Sequence, residues 1–302
     1  MQKLVPVPDG LAGERADSAV ARLTGLTRTR AAELAAAGRV RLDGAPIGKS
    51  AKLVAGALLE IDLPGAPASP PAEPVIDLPV AYEDADLIVV DKPVGVAAHA
   101  GPGWEGPTVL GCLLAQGVAL ARGGPGERRG IVQRLDVGTS GLMMVAKSEA
   151  AYSALKQMFR DRAVSKTYHA LAQGLPDPLR GTIDGPIGRL PGAFKFGIVE
   201  GGKPSITHYQ VLEAHPGAAL LQVELETGRT HQIRVHLAAM GHPLAGDPFY
   251  GADPKLAQRL GLTRQWLHAQ ALELAHPVTG LALRLESDYP ADLKTALARL
   301  RI

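Results

Sequence analysis

Six of the sixteen residues in the stretch PGAPASPPAEPVIDLP, positions 64–79, are proline. Proline lacks a backbone N–H and fixes φ, so this density excludes a helix interior and a central strand alike. The stretch reads as a semi-rigid linker. It divides the chain into a small unit, residues 1–63, and a large one, residues 80–302. A hydrophobic share of 46% provides for a sizeable core and argues against disorder. Aromatic residues are only 4%, so aliphatic packing must dominate and each Tyr or Trp is worth locating.

The net charge of +2 does not by itself point to nucleic acid; local charge has to decide. Cys112 is the one cysteine, so no internal disulfide and no C-x-x-C zinc pair is possible. It lies in the apolar stretch TVLGCLLAQG, which reads as a buried small hydrophobe rather than a nucleophile. The start, MQKLVPVPDGLAGERAD, has no signal-type apolar core, and no run of about 18 apolar residues occurs. A cytoplasmic protein with no membrane association is expected, as a monomer.

In the small unit, RADSAVARLTG and TRTRAAELAAAGR are helix-like, with Thr27 placed to cap the second helix and Gly38 to end it. RVRLDGAPI follows, with Asp43–Gly44 as a hairpin turn, and ALLEIDL supplies another strand. Between Arg22 and Lys52 stand seven basic residues, Arg28, Arg30, Arg39 and Arg41 among them, against the acids Glu33 and Asp43. A lone charged helix would be a solvated face; spread over a helix, its exit and a hairpin, the charges suit a surface that tracks phosphates. The unit resembles the S4 RNA-binding module over about 50 residues, on GRVRLDG after a basic helix.

The large unit opens with EDADLIVVDKPVG, a buried strand running into a turn. GIVQRLDVGTSGLMMVAKS, positions 130–148, reads as strand, tight turn, strand, with Arg134 and Asp136 at the turn. SEAAYSALKQMFRDR is a helix that Ser148 can cap; SKTYHALAQG, SITHYQVLEA and ALLQVELETG alternate as strands do. HQIRVHLAAMG reads as a short amphipathic helix with Ile233, Leu237 and Met240 on one face. A hairpin, LHAQALELAHPVTGLALRLE, and a helix, ADLKTALARLRI, complete it. Without regular β-α-β alternation, the fold class is α+β with a largely antiparallel sheet, beside the small α/β unit in front.

Several chemistries fail on spacing. His231 and His236 are five apart, not the four that places two imidazoles on one helix face for zinc. RGGPGERRG, 122–130, lacks the phosphate-loop spacing, and GTSG around Ser140 is not a nucleophile elbow. What remains is polar groups at the ends of strands and one helix: Asp136, Tyr168 in mid-strand, and Arg229 and Arg234 flanking the short helix. A guanidinium beside a carboxylate keeps it charged and fixes its direction, and an aromatic face can stack on a planar base.

QRLDVGTSGLMMVAKS, SKTYHALAQG, ETGRTHQIRVHLAAMGHPLAGDPFYG and LHAQALELAHP, together with DLIVVDKPVGV, are similar to the successive motifs of the RluA-type pseudouridine synthases. The likeness covers roughly residues 80–286. It implies the pseudouridine synthase fold, an isomerase that needs no cofactor and no metal, and RNA as partner. With an S4-like module in front, that RNA is large-subunit ribosomal RNA or its precursor particle. Residue by residue, Asp136 matches the catalytic aspartate of the RLD motif, Tyr168 the tyrosine that packs on the target base, and Arg234 the arginine that pairs with the aspartate. Arg134 matches the RLD arginine, placed to contact RNA or fill the space of an everted nucleotide; Arg229 joins it on the RNA-binding side. One departure stands out: where the family usually has His before RLD, this chain has Gln133, which cannot titrate and is expected only to support the loop.

Two readings from other classes stay open. A catalytically inactive RNA-binding or ribosome-assembly factor on the same fold would make no pseudouridine. A carboxylate glycosidase would need a second acid beside Asp136, for which Asp91 is the candidate, and would release free uracil.

Overall fold

The computed structural model describes residues 2–26, 28–63, 75–101, 103–123, 128–192 and 195–301. The chain divides into two compact units, Met1–Ala72 and Glu73–Ile302. Most of the proline-rich stretch, 64–74, lies outside the described residues, as do Thr27 and the centre of the glycine-rich 122–130 segment. The end of that stretch is not free linker. Leu78 is buried in the core of the large unit, Ile76 N–H points to Cys112 Sγ at 3.5 Å, and Pro79 O accepts from Asp91 N.

The first unit has strand β1 (Gln2–Pro6), helices α1 (Ala16–Thr24) and α2 (Arg28–Ala36), and strands β2 (Val40–Leu42), β3 (Ala45–Pro46) and β4 (Leu58–Asp62). Its sheet runs β1-β4-β2-β3. Asp43 and Gly44 both take positive φ, 49° and 82°, as a two-residue hairpin of the twist-matching kind requires. The strand β1, unread in the sequence, pairs antiparallel with β4 from Gln2↔Asp62 to Pro6↔Leu58. Val20, Leu34, Val40, Leu59 and Ile61 form its core.

The second unit continues with β5 (Val80–Glu83), β6 (Leu87–Lys92), α3 (Val109–Ala115), β7 (Ser140–Ala146), α4 (Glu149–Arg160), β8 (Ser165–Gln173), β9 (Arg180–Asp184), β10 (Ile187–Arg189) and β11 (Phe196–Ile198). Then come β12 (Ile206–His215), β13 (Ala218–Leu225), α5 (Gln232–Ala239), α6 (Pro254–Leu260), β14 (Leu267–Ala275), β15 (Ala282–Glu286) and α7 (Ala291–Leu300). Nine strands make one sheet in the order β5-β6-β7-β14-β8-β13-β12-β9, with β15 on β14. The β7–β14 pair is parallel and its other pairings among the described residues are antiparallel, so the sheet is mixed and largely antiparallel.

Both faces of this sheet are covered, which is why β7 reads as the unbroken apolar run GLMMVA. Val90, Met143, Val145, Tyr168 and Ala170 face α3 and α5; Val89, Leu142 and Met144 face α4; Leu171 and Trp266 face α6 and α7. Cys112 is buried in the first of these layers. Ser148 caps α4 by accepting from Ala151 N at 3.1 Å. Tyr168 sits on β8 between Val223 of β13 and Ala269 of β14, at the middle of the sheet.

Candidate active site

The segment carrying Asp136 is not the strand expected from its sequence. Ile131 makes a single bridge to Val145, and residues 132–136 run without strand pairing until β7 begins at Ser140. The turn that follows Asp136 is tied to other parts of the molecule. Val137 O accepts from Gly95 N at 2.9 Å, and Gly138 O accepts from Arg264 at 3.0 Å. Thr139 N closes a turn onto Asp136 O at 3.0 Å, and the Gln265 amide reaches Thr139 Oγ1. Arg264 is itself held in a two-pronged ion pair with Asp292 of α7. Buried Lys92, at the end of β6, donates to Pro93 O and Val96 O, both at 2.9 Å, and so fixes the turn that presents Gly95. Burial, and then the nearby Arg264 charge, push Lys92 down to about 7 against the pull of Asp136 and Asp91.

Helix α5 approaches from the other side, and it is not amphipathic. Gln232 through Leu237 are all buried, so the helix lies inside the unit rather than on it, and Met240 falls just past its end. Its polar residues tolerate this because each is bonded. Gln232 accepts from Thr227 Oγ1 and Arg229 N and donates to Ile206 O and Thr207 Oγ1. His236 bonds Thr207 Oγ1 at 2.8 Å and Gly185 O at 3.0 Å.

Arg234, 3% exposed, donates from Nε and NH2 to the two oxygens of Asp247, at 2.6 and 2.9 Å. Its remaining arm, NH1, reaches Asp136 Oδ2 at 3.2 Å. The rings of Tyr250 and Phe249 lie 5.0 and 5.7 Å from the guanidinium carbon. Burial works against the charge on Arg234, yet Asp247 and Asp136 outweigh it and raise the group above its ordinary value.

His231 stands at the helix start in the left-handed conformation, φ 57°, uncommon for a side chain with a Cβ. Its Nε2 is 3.8 Å from Asp136 Oδ2, and its Nδ1 is 2.8 Å from the Tyr250 hydroxyl. Burial, opposed by Asp136, holds the imidazole below its ordinary range, favouring the neutral ring. Burial and the Asp136 charge raise the Tyr168 phenol, keeping it protonated.

Asp136, Tyr168, His231 and Arg234 line a cavity of about 660 Å³. Arg134 and Arg229 line it too, with Arg128, Arg160, Arg162 and Lys166, so its rim is strongly basic. Arg162 is paired with Glu226, and Arg229 donates to Pro204 O. A cleft with Asp136 inside, its other acid Glu226 taken up by Arg162, and a cationic rim suits an anionic, planar-ringed substrate.

Among the sequence-derived candidates, Asp136, Tyr168 and Arg234 therefore meet in one cavity with Arg134 and Arg229 at its edge. Gln133 lines the same cavity, but its buried Nε2 meets no partner among the described residues; no hydrogen bond from that amide supports the loop. Asp91 accepts from Ser287 Oγ at 2.7 Å and does not line the cavity, so it is not the second acid a glycosidase would need; the second acid among the lining residues is Glu226, which is engaged by Arg162 and His208. In the first unit, Arg41 is exposed, while Arg28, Arg30 and Arg39 lie within 3.3 Å of Asp17, Glu33 and Asp62. Two of those acids fall outside the 22–52 window, so the local excess of positive charge is smaller than the linear count implied. Asp247 was not singled out from sequence, and His231 was weighed there only as a zinc ligand and set aside. Asp247 lies in the motif GHPLAGDPFYG and Lys92 in DLIVVDKPVGV, and those motifs were the available signal; Arg264 gave none.

The RNA pseudouridylate synthase family profile matches residues 86–239. An RNA pseudouridine synthase of Mycobacterium bovis is 58% identical over 300 residues, covering 98% of this chain and 97% of the relative. The ribosomal large subunit pseudouridine synthase D of Nitrosomonas europaea is 40% identical over 98% of this chain and 87% of its own. Human RNA pseudouridylate synthase domain containing 4 matches in structure with a TM-score of 0.59 and 27% identity, over 74% of this chain and 93% of that one. All of the cavity's lining residues but Leu267 lie within the matched 86–239, and the chain belongs to the RNA pseudouridylate synthase family, of the RluA type, whose members isomerise uridine to pseudouridine in RNA.

Proposed function

We propose that this protein isomerises uridine in large-subunit ribosomal RNA, or its precursor particle, with Asp136 as nucleophile. The observation that supports this best is the setting of that carboxylate: inside a basic-rimmed cavity, 3.2 Å from Arg234 and beside Tyr168. The substrate class follows the relatives named ribosomal large subunit pseudouridine synthase D.

Asp136 attacks C1′ as the N1–C1′ bond breaks, and the bonding pair leaves with uracil. The freed uracil turns, C5 bonds to C1′ and the carboxylate is released. The proton lost from C5 balances the one gained at N1, so substrate and product have the same atoms. Arg234 aims Asp136, and Tyr168 stacks on the base. Everting the nucleotide costs a few kcal/mol. Phosphate contacts from Arg134 and Arg229, and from Arg28, Arg30, Arg39 and Arg41 of an S4-like first unit, offset that cost.

The test is incubation with unmodified ribosomal RNA followed by carbodiimide primer-extension mapping. New pseudouridine stops in large-subunit RNA are expected. RNA binding without any stop would identify an inactive binding factor instead.

A further inference from the structure

We propose that Asp247 is a positioning residue for the reaction: it fixes the plane of Arg234 and leaves that arginine a single arm for Asp136. This rests on the reading of Asp136 as nucleophile given above.

Asp247 is not near the substrate side. Its side chain is fully buried, and it does not line the cavity. Burying a carboxylate so completely is costly unless it is paired and bonded. Asp247 is: it takes the Nε and NH2 edge of Arg234 at 2.6 and 2.9 Å, and Phe249 N donates to its Oδ1 at 2.9 Å. Its own N–H is tied to Leu244 O at 3.0 Å. Two parallel bonds define the guanidinium plane, which a single bond does not. The rings of Phe249 and Tyr250, from the same short segment, close in at 5.7 and 5.0 Å.

The geometry makes the two carboxylates unequal. Asp247 holds Arg234 through both oxygens at shorter distances; Asp136 is met by one arm at 3.2 Å, on Oδ2 alone. His231, tethered to Tyr250 by the 2.8 Å contact, also approaches that same Oδ2. One guanidinium shared by two carboxylates leaves the trio with a net negative charge, so Asp136 is aimed without being fully neutralised. Without Asp247, Arg234 is free to turn its fork onto Asp136, tightening a bond that the nucleophile must loosen as it attacks C1′.

The test is a double-mutant cycle of Asp247→Asn and Arg234→Met, read as single-turnover rate at saturating RNA, on the RNA in which the wild-type protein makes pseudouridine. Asp247→Asn alone should slow the step at least tenfold and change the RNA dissociation constant less than twofold. In the Arg234→Met background the same substitution should change the rate less than twofold, because the group it orients is gone. A wild-type rate for Asp247→Asn would overturn the proposal, as would an equal loss in both backgrounds. If Asp247→Asn alone does not fold, the comparison of Arg234→Met with the double variant, which removes both buried charges, decides: a further tenfold loss overturns it, and a change within twofold supports it. Asp136→Asn is measured alongside. Wild-type turnover by Asp136→Asn would sink the reading of the nucleophile, whereas an inactive Asp136→Asn with an unimpaired Asp247→Asn would sink only the role of Asp247.

Discussion

Gly141 ties the stability of the sheet to the placement of Asp136, five residues before it. It sits on β7 opposite Lys92 of β6 and Ala269 of β14, in the parallel pairing at the centre of the sheet. Its φ is 109°, which residues with a Cβ rarely adopt, and a Cβ built there would overlap the backbone of Ala269 at its carbonyl oxygen. The backbone conformation in Gly141→Ala costs about 1–3 kcal/mol. Relieving the overlap costs about the same again, since it is backbone on both sides that must separate. A loss of about 3 kcal/mol is a large share of a typical stability of about 5–15 kcal/mol. It should lower the midpoint of thermal unfolding by about 6–12 °C for a unit of this size. Both tryptophans, Trp104 and Trp266, belong to the second unit, so their fluorescence follows its unfolding without interference from the first. Gly138→Ala is the internal comparison. Its φ is ordinary, and the added Cβ meets the end of the Gln265 side chain at 2.6 Å. Giving up the Gln265–Thr139 bond should cost about 1 kcal/mol. An unfolding free energy for Gly141→Ala within about 0.5 kcal/mol of wild type would refute this account of the β7–β14 seam.

Two further outcomes follow from charge and from the division of the chain. Burial pushes His268 down to about 4 between Ser140 Oγ at 3.0 Å and Ser287 O at 3.3 Å. Stability held by its neutral ring is complete above its ordinary value near 6.5 and is lost as pH falls toward 4. His268→Asn should therefore flatten the acid side of the stability profile, by up to about 3 kcal/mol; an unchanged slope in urea titrations between pH 4 and 7 would exclude it. Deleting residues 1–72 should leave a folded second unit that binds ribosomal RNA more weakly and with a shallower salt dependence, as binding isotherms at several salt concentrations would report. Equal affinity and slope would remove the first unit from RNA recognition.

Much of this was legible locally. The strands β12, β13 and β14 announce themselves by alternation, α4 by Ser148 and its apolar spacing, and the hairpin β2–β3 by Asp43–Gly44. Asp136, Tyr168 and Arg234 stood out because their motifs gave them away. What the sequence hid is what distant segments do for one another. The Asp136 segment reads as a strand leading into a turn, whereas the carbonyls of Val137 and Gly138 just after Asp136 are claimed by Gly95 and Arg264, far away in the chain. Helix α5 looks amphipathic because Ile233, Leu237 and Met240 recur at helical spacing, and only the partners Thr207, Gly185 and Asp247 of its polar residues Gln232, Arg234 and His236 let it be buried. The basic count of the first unit was inflated for the same reason, since Asp17 and Asp62 reach Arg28 and Arg39 from outside the window.

The most direct test of the central claim is single-turnover pseudouridine formation by Asp136→Asn, on the RNA that the wild-type protein modifies, with RNA affinity measured in the same samples. Asn keeps the size and most of the hydrogen bonding at 3.2 Å from Arg234 but cannot form the bond to C1′. The rate should fall by at least about a thousandfold, about 4 kcal/mol in the barrier, with the dissociation constant nearly unchanged. Turnover within about tenfold of wild type would contradict the assignment of Asp136 as nucleophile.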